Sequence, residues 1–165
     1  MNIGIIKNVE KNTYTNMLEG NFWVEKLGQY IQISYDPSID FKYVEESICY
    51  FDRNISQIQS LLAPSILRFC KNQMENYPDV DYPIGMECID ISSVWNFVKI
   101  EELHIDCYEP NLKDLKVLNL YGSCDWEFDD GLQWLIRDGK VIYSGAWNNY
   151  NVWQSADQLD CGNYA

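Results

Sequence analysis

Residues 132–143 read Leu-Gln-Trp-Leu-Ile-Arg-Asp-Gly-Lys-Val-Ile-Tyr, two runs of strand-forming side chains on either side of Asp138-Gly139. An Asp-Gly pair in that position favours a type I′ turn, in which both central residues take positive φ and the twist suits antiparallel strands. A hairpin with strands over 132–136 and 141–143 is therefore predicted, and with it an antiparallel sheet. Other strands are expected at 22–24 and at 30–35. In the latter, Tyr30, Gln32 and Ser34 alternate with Ile31, Ile33 and Tyr35 before Asp36-Pro37 breaks the run. Residues 102–108 alternate again, with Leu103, Ile105 and Cys107 on one face and His104 and Asp106 on the other. A turn at 109–111 leads to a further strand at 117–122.

Two helices are expected between these groups. The first covers 40–52, with Asp40 as cap and Phe41, Val44, Ile48 and Phe51 at spacings of three and four. The second starts from Asn54 as cap and carries Ile55, Ile58, Leu62, Ile66, Phe69 and Tyr77 on its core face. Pro64 should kink or split it, and Tyr77-Pro78 ends it. Residues 78–90 form a Pro-rich acidic loop. A third, short helix is expected over 92–99, capped by Ser92 or Ser93, with Val94, Trp95 and Val98 sharing a face. The order predicts an α+β fold, a mainly antiparallel sheet with two or three helices packed on one face. One domain over 1–165 is expected, its core about 20–150, with the tail 151–165 wrapping the sheet.

Charge is the strongest compositional signal. The chain has 25 acidic and 12 basic residues, a net charge of −13. Such a surface repels nucleic acid and anionic lipid and attracts a basic protein; the plainer reading is solubility. Hydrophobic residues make up 47%, enough for a sizeable core, and aromatics 15%, some of which must lie at the surface as contact rings. No apolar run of membrane-spanning length and no signal-like start is visible. The six cysteines include no Cys-x-x-Cys pair, and there is one histidine, which argues against a zinc site. Cys49, Cys70 and Cys107 fall on periodic segments where buried free thiols are common. A reducing, cytoplasmic setting is expected.

The stretch 125–130, Asp-Trp-Glu-Phe-Asp-Asp, holds four carboxylates. Asp125, Glu127 and Asp129 have the spacing of an oxygen-ligand loop, but Gly131 falls at the seventh place and Ile136 at the twelfth, where calcium loops need otherwise. Carboxylate pairs can act in hydrolysis, and Cys124 with His104 as base is conceivable, though no third orienting group is evident. As an extended run, the stretch would put Trp126 and Phe128 into the core and line Asp125, Glu127 and Asp129 on the outside, next to Asp130. The plainer role is protection of an edge strand.

Tyr121-Gly-Ser-Cys124-Asp-Trp126-Glu127-Phe128-Asp129-Asp130-Gly131-Leu132, followed by Gly139-Lys-Val-Ile-Tyr-Ser-Gly145, resembles a group of uncharacterised bacterial domains. Their hallmark is Cys-x-Trp-Asp-Pro-Glu-His-Gly, then an Arg-Asp-Gly hairpin. Cys124, Trp126, Glu127, Asp129 and Gly131 match in kind, while Phe128 replaces the Pro and Asp130 the His. The likeness extends over about 20–150 and is specific over 121–145. It implies an α+β fold, and some relatives look like immunity proteins encoded near secreted toxins. The function expected is an antitoxin-like immunity protein that binds a basic toxin. It is expected to be no enzyme, to use no cofactor or metal, and to be a monomer or weak dimer. Asp125, Glu127, Asp129 and Asp130 would make the contact, with Trp147, Tyr150 and Trp153 as ring anchors. The alternatives are a metal-dependent hydrolase built on the 125–130 acids, and a nucleic-acid mimic.

Overall fold

A computed structural model describes residues 3–106, 116–159 and 162–165. Its strands are β1 (Lys7–Lys11), β2 (Leu18–Val24), β3 (Gln29–Tyr35), β4 (Val98–Ile105), β5 (Val117–Cys124), β6 (Glu127–Arg137) and β7 (Lys140–Ala146). They form one seven-stranded sheet in sequence order. Neighbours pair antiparallel except β3 and β4, which run parallel. A parallel pair needs a crossover, and the helix α1 (Phe41–Asn76) lies in that connection. The expected turn at 109–111 and Cys107 lie outside the described residues.

The fold is thus mainly β, with one long α-helix among the described residues; the expected two or three helices are not found. The two helices predicted at 40–52 and from 54 onwards are a single element of 36 residues. Asp40 caps it, its carboxylate accepting a hydrogen bond from Lys42 N at 3.0 Å. Asn54 is not a cap: its side chain donates to Tyr50 O at 2.8 Å inside the helix. The physical reason is continuity of the stripe. Val44, Ile48, Phe51, Ile55, Ile58, Leu62, Ile66 and Phe69 are all buried. Pro64 costs about 3 kcal/mol within a helix, and burying two such side chains, at about 1.5–3 kcal/mol each, offsets it. Tyr77 lies past the helix end and is exposed. The third expected helix is one 3-10 turn (Val94–Asn96). Val98 and Ile100 are buried and Lys99 exposed, a period of two that starts β4 instead.

The predicted hairpin forms. Asp138 has φ 50° and Gly139 φ 71°, and Arg137 pairs with Lys140 across the two-residue turn. The core lies between α1 and one sheet face, where Phe22 meets Phe51 edge-on at 6.0 Å. On the other, open face, Val152 and Leu159 of the tail pack on Leu135 and Tyr143. Residues 163–164 run along the edge of β7. Asn163 accepts from Ser144 N at 3.1 Å and donates to Ile142 O at 2.9 Å. Tyr164 reaches back to α1, its hydroxyl 2.7 Å from Asn72 Oδ1 and its carbonyl taking two bonds from Arg68. No helix among the described residues is long and apolar enough to cross a membrane.

Candidate functional site

The acidic stretch does not form the continuous extended run expected of it. Cys124 pairs with Glu127, so Asp125 and Trp126 are the turn of the β5–β6 hairpin. Asp125 N donates to Phe97 O at 3.0 Å, which ties the turn to the start of β4. Trp126 is 4% exposed and anchors the tip in the core, as expected of it. The Glu127 carboxylate bends back along its own strand, taking bonds from Asp129 N at 3.0 Å and Asp130 N at 3.4 Å. Asp125, Asp129 and Asp130 are exposed. None of the four carboxylates has an ion-pair partner among the described residues. Nor do they converge: no group of three or more His, Cys, Asp or Glu side chains among the described residues is arranged to hold a metal ion.

Beside the tip runs a groove of about 330 Å³, with Tyr77, Val80 and Tyr82 on one wall and Trp126, Glu127 and Asp129 on the other. Its first wall is the segment that follows α1. The Tyr82 hydroxyl, within reach of Gln73 O at 3.2 Å and Tyr77 O at 3.1 Å, fastens that segment to the helix end. The last turn of α1 carries no basic residue, so the negative end of the helix dipole adds to the field of the carboxylates. Tyr77 and Val80 are exposed on the rim. The site therefore joins negative charge to apolar and aromatic surface. A larger hollow of about 530 Å³ beside the first half of α1 mixes Lys42, Arg53 and Lys116 with Glu45 and Glu46 and has no such single sign.

The predicted rings divide. The Trp147 backbone N–H donates to Gly131 O at 3.1 Å, while its side chain, in a residue 42% exposed, meets Tyr121 edge-on at 6.5 Å. Tyr150 is committed to packing, edge-on to Tyr143 at 4.8 Å. Its carbonyl takes bonds from Gln133 Nε2 at 2.7 Å and Asn119 Nδ2 at 3.2 Å. Trp153 packs against the Leu135–Tyr143 cluster. The Trp147 ring lies beside Tyr121 on the open face and is joined to the acidic hairpin only through the backbone bond to Gly131; Tyr150 and Trp153 belong to the tail's attachment.

The Cys124–His104 pair is not formed. Cys124 pairs with Val98 and Asn119 with His104, so the two lie six residues apart along β4, roughly 20 Å. Burial also pushes the Cys124 thiol up to about 12, which leaves it inert at neutral pH.

His104 instead belongs to a polar strip on the open face that the sequence reading missed. Sheet register sets Ser34, His104 and Asn119 side by side, with Gln32, Glu102, Tyr121 and Gln133 in the next row. Ser34 hydrogen-bonds both Glu102 and, at 2.7 Å, His104 Nδ1. His104 Nε2 is 3.5 Å from Asp106 Oδ1. Asp106, expected on the face that carries His104, is 8% exposed. It accepts from Asn119 Nδ2 and Val152 N at 3.0 Å each and from Asn151 Nδ2 at 3.1 Å. Ser34 is 5% exposed and engaged on both sides, so this row ties the tail to the sheet and presents no free nucleophile. The signal lay in Asn119 and Gln133, polar residues within apolar strands; their partners are far away in sequence.

Comparisons with curated proteins and with solved structures returned no match. Residues 5–151 match the family model described as a domain of unknown function, DUF6985, and the chain belongs to that family.

Proposed function

We propose that this chain is a protein-binding module that captures a basic partner with the β5–β6 hairpin tip and the groove beside it. The observation that carries the reading is the set of exposed carboxylates Asp125, Asp129 and Asp130, without an ion-pair partner among the described residues, next to a groove walled by aromatic rings. A net charge of −13 draws a cationic surface in and speeds its encounter. The exposed Tyr77 and Trp147 supply apolar contact of the kind that anchors interfaces. The finer reading is an immunity protein that covers the active cleft of a basic toxin; it rests on the resemblance over 121–145. A cytoplasmic setting fits the free thiols of Cys49, Cys70, Cys88 and Cys124.

The test is calorimetric titration with the product of the adjacent gene at low and high salt. Affinity should fall as salt rises and should fall again when Asp125, Asp129 and Asp130 are changed to Asn. Affinity indifferent to both changes would refute the charge-led reading.

A further inference from the structure

The groove beside the hairpin tip carries charge of one sign. Glu127 and Asp129 line it, and no lysine or arginine is among its described lining residues. Glu127 engages the Asp129 and Asp130 N–H groups through Oε1. Its Oε2 and the Asp129 carboxylate take no hydrogen bond among the described residues. The negative end of the α1 dipole lies at the same wall. At about 330 Å³ the groove stands at the low end of the range for small-ligand pockets, about 300–1,000 Å³, and so admits a side chain and not a folded surface.

Trp126 adds an independent sign of a ligand. It lines the same groove, is 4% exposed, and its indole N–H, shielded from water, has no hydrogen-bond partner among the described residues. Buried donors are ordinarily paired, so an orphan beside a cavity marks a place for an acceptor. A cationic side chain brings only donors, but the peptide that carries it also brings main-chain carbonyls. Tyr77 and Tyr82 line the groove with rings, over which a cation is attracted by the ring quadrupole. An ammonium is a compact, strongly hydrated point charge. A guanidinium is weakly hydrated, stacks on rings and offers a planar fork of donors to carboxylates. Two carboxylates and two tyrosines in one narrow groove match the guanidinium.

We propose that this groove is the receptor for one arginine residue of the basic partner. The guanidinium sits among Tyr77, Tyr82, Glu127 and Asp129, and a main-chain carbonyl of the same peptide accepts from the Trp126 indole N–H. Because that N–H is shielded, the carbonyl displaces part of the groove wall to reach it. The assignment rests on the reading of the hairpin tip as the capture surface for a basic partner and names the group that this surface takes in.

The test is an NMR titration of the ¹⁵N-labelled full chain with N-acetylarginine amide at constant ionic strength, set beside methylguanidinium and N-acetyllysine amide. A ligand of about fifteen non-hydrogen atoms at ordinary efficiency binds with Kd on the order of 1 mM. The Trp126 indole N–H and the Asp129 amide should shift together and saturate in that range. Methylguanidinium, which has no carbonyl, should move the Asp129 amide and leave the Trp126 indole in place. N-acetyllysine amide should bind more weakly than the arginine compound. Tyr77→Leu and Asp129→Asn should each weaken binding about threefold, as expected of an exposed cation–π contact or ion pair. Glu46→Gln, the same loss of charge near the other end of α1, should leave it unchanged. No saturable shift, or lysine binding as tightly as arginine, overturns the assignment. An indole signal that methylguanidinium moves equally overturns the carbonyl contact. Salt-sensitive capture of the whole partner without these shifts removes the arginine receptor and leaves the hairpin-tip reading standing; loss of both removes that reading as well.

Discussion

Replacing Gly122 by alanine tests the packing that positions the hairpin tip. Gly122 sits in β5, paired with Ile100 on one side and Leu132 on the other. A Cβ there would collide with the carbonyl of Lys99 and come within 2.7 Å of two carbons of the Trp134 ring. Neither neighbour has room to yield. The carbonyl belongs to the adjoining β4 ladder, and Trp134 is 0% exposed, with Trp95 6.3 Å from it. Overpacking costs about 1–3 kcal/mol, and two unyielding contacts put this case near 3. For a chain of this length that is a fall in Tm of about 6–12 °C. Gly139→Ala is the matched control. That position has φ 71° but nothing within 4 Å of an added Cβ, so the loss is backbone strain alone, about 1–2 kcal/mol. Urea and thermal unfolding, followed by tryptophan fluorescence and circular dichroism, give both values. If Gly122→Ala costs no more than Gly139→Ala, the close approach of β4 and Trp134 to Gly122 is wrong.

Three further outcomes follow from burial and charge. Among the described cysteines, alkylation at neutral pH should modify exposed Cys88 first and Cys49 more slowly, while Cys70 and Cys124, pushed by burial to about 11 and about 12, should react only on unfolding; peptide mass spectrometry showing early label on Cys124 would contradict its burial. Because burial raises the folded Asp106 carboxyl above its ordinary 3.8, there is a pH range above 3.8 in which the native chain holds a proton there that the unfolded chain has lost. That contribution to stability is present in acid and disappears as pH rises through the folded value, so Asp106→Asn should flatten the stability profile just above pH 3.8, read by urea titration at stepped pH. Val152→Ala should cost about 2 kcal/mol, two methyl-sized groups plus a residual cavity, since Val152 is 1% exposed against Leu135 and Tyr143; a loss under about 0.5 kcal/mol in urea unfolding would mean the tail is not packed there.

The Asp138-Gly139 turn was readable because its outcome depends on two adjacent residues and the strands they join. So were the Asp40 cap and the helix stop at Tyr77-Pro78, where the next few residues decide the backbone. The apolar stripe from Val44 to Phe69 was readable as a core face, but whether it made one helix or two was not. Asn54 and Pro64 are local signals for a break, and burial against a distant sheet overrides them. The anchoring of Trp126 followed from its size and hydrophobicity. The bend at Asp125-Trp126 did not, because it depends on Cys124 finding Glu127 across a hairpin. Tertiary structure alone decided what His104 and Asp106 touch, since Ser34, Val152 and Asn151 reach them through strand register and the path of the tail. Local sequence sets backbone preferences over a few residues; a buried polar network is chosen by whichever distant donors and acceptors the finished sheet brings within about 3 Å.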